Sequence, residues 1–189
     1  MFNLINIKKG EWPRFLLAFA YFYFLLAGYF MLRPIRGTVA ANHSESLHWL
    51  YTATFVSMLL IVPVFGALVA KFRRGRFIPG IYLFFISNLV FFAFAFAFKG
   101  DATHDWVQYG FYVWLSVFNL FVVSIFWSFM ADIFHPDQAQ RLFGSIMAGG
   151  SLGAIAGPLL TAGWVGQIGS GGVMMLAIVF LLVATVLAI

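Results

Sequence analysis

Residues Phe15–Leu32, FLLAFAYFYFLLAGYFML, form an 18-residue run without a charged side chain. A helix of about 20 mostly apolar residues crosses the hydrocarbon core of a bilayer. Helix is the economical choice there, because every backbone group is satisfied within the segment. Four more uncharged runs follow, at 49–70, 77–98, 106–131 and 142–189. The last is long enough for two crossings and is divided by the glycine-rich stretch from Gly163 to Gly172. The spacing therefore predicts an all-α membrane protein with six transmembrane helices, at about 13–33, 47–70, 77–98, 106–133, 138–163 and 173–189, forming a single bundle over 1–189.

Composition agrees. The chain is 63% hydrophobic and 9% charged, against roughly 25% charged residues in an ordinary soluble domain. A net charge of +5 raises the question of nucleic acid, but the basic residues are divided among loops, with no patch of interleaved aromatics, so no nucleic acid partner is expected. Their distribution reads as topology. Lys8, Lys9, Arg14, Lys71, Arg73, Arg74, Arg76 and Arg141 fall on one side of the predicted spans, and Arg33, Arg36 and Lys99 on the other. The positive-inside rule then puts both chain ends in the cytoplasm. The first span is too long and too aromatic for a cleaved signal peptide and is read as a retained helix. With no cysteine, disulfides and thiolate metal sites are excluded.

Helix one is expected to stop near Arg33-Pro34, because proline disfavours helix in the residue before it. An outer loop then carries Asn42, His43, Ser44, Glu45 and His48. Pro63 predicts a kink in helix two. Trp12, Trp49, Trp106 and Trp164 fall near predicted span ends, where an amphipathic ring suits the headgroup region. In helix five, Gly149, Gly153 and Gly157 recur every four residues on one face ahead of Pro158. Such a ridge lets another backbone approach closely, which is how helices associate in lipid, and it offers a smooth surface for sliding or hinging.

Charged groups at membrane depth are costly and draw attention. Arg33 and Arg36, with Tyr29 on the same face, offer positive charge and forked donors suited to a phosphate or carboxylate. The bland alternative is that Arg33 snorkels to the outer headgroups. On helix four, Ser116, Asn119, Val123 and Trp127 share a face, and an asparagine in mid-membrane needs a partner. At the cytoplasmic edge, Asp132 is either a solvated loop charge or a latch that pairs with Arg141, Lys71, Arg73 or Arg74. All four histidines, His43, His48, His104 and His135, fall in predicted loops or span ends. That argues against an intramembrane serine protease, haem ligation or a metal site, so no enzyme and no cofactor is expected.

The glycine stretch from Gly153 to Ala162 resembles the helix-five signature of the major facilitator superfamily, with Thr161 and Ala162 where that signature ends in glycines. The segment Gly66–Arg76 is similar to the family's basic loop after helix two, with Ala70 where the aspartate belongs. Asp132, Pro136, Arg141 and Gly144 resemble its connection between helices four and five. Within the superfamily, Tyr29–Arg36 together with Ala139–Phe143 is similar to the bacterial and plastid ATP/ADP antiporters. The resemblance implies an N-terminal six-helix half of a twelve-helix alternating-access transporter, built as a 3+3 inverted repeat in a bacterial inner (plasma) membrane. It also implies a small anionic, nucleotide-like solute, helices one and four lining the cavity, and a C-terminal half or a second copy to enclose it. The rival reading is a six-helix membrane scaffold that transports nothing, or a half-transporter that needs a partner copy.

Overall fold

The computed structural model describes residues 7–8, 10–71, 74–99 and 104–188, with backbone only for 65, 68–71, 74–78 and 99. It is all-helical: α1 (Trp12–Asn42), a 3-10 turn (Ser44–Ser46), α2 (Leu47–Lys71), α3 (Arg74–Lys99), α4 (Asp105–Ile133) and α5 (Pro136–Leu187). Five of these helices are long and apolar enough to cross a membrane. The predicted boundaries of the second and fourth spans lie within a residue of α2 and α4, and α3 begins three residues before the predicted 77.

Two boundary expectations fail for instructive reasons. The first helix does not end at Arg33-Pro34; it continues through Pro34 to Asn42. Proline removes one amide from the ladder, and in lipid the rest of the helix has no better way to satisfy its backbone. Thr161 on α5 helps at this turn, its hydroxyl donating to the Met31 carbonyl at 2.8 Å. Second, the break predicted between the helices ending at 163 and starting at 173 is helical on both sides of one residue. Gly169 alone leaves the helix, at φ 67° and ψ 178°, a region that is essentially glycine-only. A glycine-rich sequence permits a break at many positions, and the chain uses one.

Contacts along α1 give the direction of each arm of α5. On the arm before Gly169, Gly149, Gly153 and Gly157 lie against Phe19, Tyr23 and Ala27 in turn, so this arm runs parallel to α1. On the arm after Gly169, Ala177 lies against Gly28, Phe180 meets Phe24 at 5.5 Å, and Leu187 and Ala188 lie beside Leu17 and Ala18. This arm runs back the other way. The chain reverses at Gly169, and both arms flank the same helix. The bundle thus has a near end, with Trp12, Pro136 and Leu187, and a far end, with Asn42, Asp105 and Gly169.

The near-end junctions are set locally. Pro13 and Pro136 occupy first-turn positions, where a missing amide costs nothing. Before Pro136, Phe134 and His135 are extended, as the residue preceding a proline prefers. Gln138 closes the turn by accepting the His135 amide at 3.2 Å. The core centres on α1: 61% of its span is buried in the bundle, against 6% for 44–64 around α2. Trp49, Phe55, Leu59 and Leu60 of α2 point outward, as side chains do whose solvent is lipid or another helix bundle.

Candidate functional site

The α1–α4 seam carries the residues that the sequence singled out for solute binding. The two helices are antiparallel and meet at intervals of about seven residues, two turns of helix, so the contacts keep to one stripe. Phe22 stacks on Phe126 with centroids 3.9 Å apart. Further toward the far end Tyr29 meets Phe118 at 6.3 Å. Next, Arg36 lies over Tyr112, its guanidinium carbon 3.8 Å from the ring centroid, while its Nε donates to the Tyr112 carbonyl at 3.2 Å. The stripe ends where His43 reaches Asp105, Nε2 to Oδ1, at 3.1 Å.

Arg36 is therefore held half-buried between two helices by a ring face and one carbonyl. Arg33, one turn nearer along α1, is exposed and lies 5.2 Å from the Phe30 ring. Neither guanidinium has a carboxylate partner among the described residues. Tyr29 is buried beneath them. Asn119, next to Phe118, is half-buried and has no hydrogen-bond partner among the described residues. Ser116 turns back to its own helix, donating to the Tyr112 carbonyl at 3.2 Å.

Trp127 does not join this group. It packs between Phe22 and Phe143, at 5.6 and 5.2 Å, some 20 Å along α4 from Tyr112 at 1.5 Å per residue. Its place is an aromatic wedge between α1, α4 and α5. Arg36 and Tyr29 lie along the α1 side of this seam, Asn119 follows Phe118 on α4, Arg33 borders the seam, and Trp127 lies toward the other end of the bundle.

On its other side α1 meets the glycine ridge. A Cβ at Gly149 would stand 2.6 Å from the Phe19 carbonyl oxygen, and at Gly157 2.7 Å from that of Ala27. At Gly153 it would fall closer still to the Tyr23 carbonyl. These are backbone atoms and cannot swing aside. Pro158 lies inside α5, just past the tightest contacts, and one turn later the Thr161 hydroxyl bonds to Met31 where α1 carries Pro34.

At the near end, one partner of Arg141 is Glu11, a residue outside the predicted site set. The Glu11 carboxylate accepts from Arg141 Nη2 at 2.9 Å and Nη1 at 3.4 Å, from Gln138 Nε2 at 3.0 Å and from the Lys8 amide at 3.0 Å. The Arg141 hydrogen bonds, with those of Lys8 and Gln138, hold its pKa down to about 2. A forked guanidinium–carboxylate pair thus ties the start of α1 to the start of α5. The available signal was position: Glu11 is the only acidic residue before Glu45. Asp132 is exposed in the last turn of α4 and is not without interactions. The Arg74 side chain, and with it most of the predicted basic turn, lies outside the described residues.

A cavity of about 190 Å³ also opens at the near end, among Arg14, Tyr21, Met130, Phe134 and Leu187. It holds none of the predicted solute-binding residues. Among the described residues no cluster of side chains could hold a metal ion. Compared with models of known protein families, with curated proteins and with solved structures, the chain matches none.

Proposed function

We propose that this bundle is half of a secondary transporter that moves a small anionic solute by alternating access. What carries the reading is the pair Arg33 and Arg36 on the far third of α1: guanidinium groups with no carboxylate partner among the described residues, one of them wedged between helices. A cation kept in such a place without a counter-ion is suited to receive one from outside. Tyr29 and the unpartnered amide of Asn119 add neutral hydrogen-bonding capacity beside it.

In this reading the two arms of α5 cross separately, giving six passages in the 3+3 arrangement of a major-facilitator-like half. The near end, with most of the basic residues, faces the cytoplasm of a bacterial inner membrane, and both termini lie there. A second six-helix block, in the same polypeptide or as another copy, supplies the opposite wall of the cavity, and the outward apolar face of α2 offers it a surface. The Glu11–Arg141 pair acts as a near-end tie. The singled-out carboxylate, Asp132, sits at the exposed near end of α4 and not deep in a span, which favours exchange or facilitated passage, and a nucleotide-like solute is the specific candidate.

The test is uptake into proteoliposomes together with a thermal-shift screen against nucleotides, sugars and carboxylates. One anion class is expected to stabilise the protein and to enter the vesicles. The Arg33→Ala, Arg36→Ala double variant should insert normally and lose that uptake at least about tenfold, the scale of one or two charge-assisted hydrogen bonds. Unchanged uptake in the variant would retire the cationic site. No stabilisation and no uptake with any class would leave the scaffold reading in its place.

A further inference from the structure

We infer that His43 and Asp105 form a proton-binding site that clasps the far ends of α1 and α4. The argument begins with donors and acceptors. His43 Nδ1 lies 3.0 Å from the Val39 carbonyl oxygen, and Nε2 lies 3.1 Å from Asp105 Oδ1. A carbonyl oxygen can only accept, so Nδ1 must carry a hydrogen. An ionised carboxylate can also only accept, so a proton is needed between Nε2 and Oδ1 as well. Neutral histidine has one N–H. The observed geometry is complete only when the pair has taken up one proton more than neutral His43 and ionised Asp105 hold between them, wherever that proton rests.

The surroundings fix the ring without supplying that proton. The Val39 carbonyl also accepts the His43 backbone amide at 3.2 Å, so its position is set by the C-terminal turn of α1. Tyr109 meets the ring edge-on at 4.8 Å between centroids. The other titratable or charged groups on the described elements that meet here are Glu45 on the 3-10 turn, His48 on α2, His104 beside Asp105 on α4, and Arg36 two turns down α1. Among the described residues, Asp105 is the carboxylate within hydrogen-bond distance of the ring. Its side chain is 68% exposed, so the proton exchanges with bulk water. The reaction is binding only: a proton enters and both contacts close, or it leaves to water and the ring's one N–H serves either the Val39 carbonyl or Asp105, the other contact being left with lone pairs facing each other.

Position gives the site its consequence. It terminates the same α1–α4 stripe that holds Arg36 on Tyr112, two turns away on each helix, so its state biases the separation of the helices at the far end. Unperturbed histidine gains and loses its proton within about pH 5 to 8; the clasp is expected to loosen as pH rises. The inference does not depend on transport, since it concerns the helix ends in the absence of any solute.

The experiment uses the whole chain in lipid nanodiscs. Because the protein has no cysteine, Ala41→Cys with Gly110→Cys places one spin label at the end of α1 and one on α4. Pulsed electron-electron distances are then read at about pH 5.5 and 8.5, outside or near the limits of the histidine range. The ratio of close to separated helix ends should fall about two- to fivefold at the higher pH, the range for an exposed ion pair. In Asp105→Asn the new amide donates to the neutral ring, so the ends should stay close at both pH values. Nitrogen-15 spectra of the His43 ring should show both nitrogens protonated, or the second proton shared, when the ends are close. A wild-type ratio independent of pH overturns the inference. So does a pH response that survives Asp105→Asn, or a ring with a single proton, on either nitrogen, while the ends remain together.

Discussion

On its α5 side α1 meets another backbone: Gly149, Gly153 and Gly157 press against main-chain atoms of Phe19, Tyr23 and Ala27 with no room for a single added carbon. On its α4 side it meets side chains, through stacked rings and, at the far end, through Arg36 and His43. Backbone contacts are all-or-none, because neither partner has a rotamer to change. Side-chain contacts re-form in more than one arrangement, and polar tethers exchange partners with water, protons or a solute. One helix thus has a backbone seam on one flank and a side-chain seam on the other, the division of labour that the proposed rocking mechanism requires.

The most severe way to break that contrast is Gly153→Leu. Every rotamer begins with a Cβ inside the Tyr23 carbonyl, so α1 and α5 must part, at a cost of about 3 kcal/mol or more. Unfolding in mixed micelles should show it, or no folded protein should be recovered. Gly163→Leu is the control, since nothing lies within 4 Å of a Cβ there, and it should behave as wild type. Equal loss in both variants would mean that the seam is not special.

Next in size is Phe126→Ala on the other flank. Removing a fully buried ring from soluble cores costs about 3 kcal/mol, but the α4 seam should partly re-pack, giving a smaller loss than Gly153→Leu. A larger loss would reverse the assignment of rigid and adjustable flanks. Thr161→Val should be milder still, about 1 kcal/mol for the hydroxyl given to Met31.

The smallest effect belongs to acid. Glu11 has its pKa lowered from 4.5 to about 2 by Arg141, Lys8 and Gln138. A depressed carboxylate contributes fully above its unfolded pKa, and that contribution is lost as pH falls toward its folded one. The near-end tie should therefore be intact at neutral pH and weaken between about pH 4.5 and 2, the opposite sense to the His43–Asp105 clasp. Glu11→Gln should abolish the acid dependence at that end. Labels placed beside the pair, at 10 and 140, would report it, and weakening at neutral pH would contradict the ionised pair.

What the sequence made legible is what helical periodicity alone encodes. Gly149, Gly153 and Gly157 announce a face because four residues make only slightly more than one turn, and the uncharged runs announce length in lipid. Pro34 misled because its local preference is real but is outweighed where water cannot rescue an unwound backbone. Gly169 could not be chosen from among its neighbours, since Gly163 and Gly166 have the same conformational licence. Arg36 was visible as a misplaced charge, whereas its seat on Tyr112 depends on the α1–α4 register, which only packing sets. Glu11 and Asp105 belong to no sequence pattern that pairs them, and nothing short of the fold brings them to Arg141 and His43.

The separation between α1 and its closest neighbour has a consequence for biosynthesis. Met31 and Thr161 are 130 residues apart, and ribosomes add about 5–20 residues per second, so roughly 6 to 26 s pass before α1, once made, can meet its match. During that wait it must linger in the translocation machinery or among lipids, guarded by a chaperone or by provisional neighbours such as α4. Slowing translation between the two should lengthen the window in which quality-control proteases can reach the nascent chain.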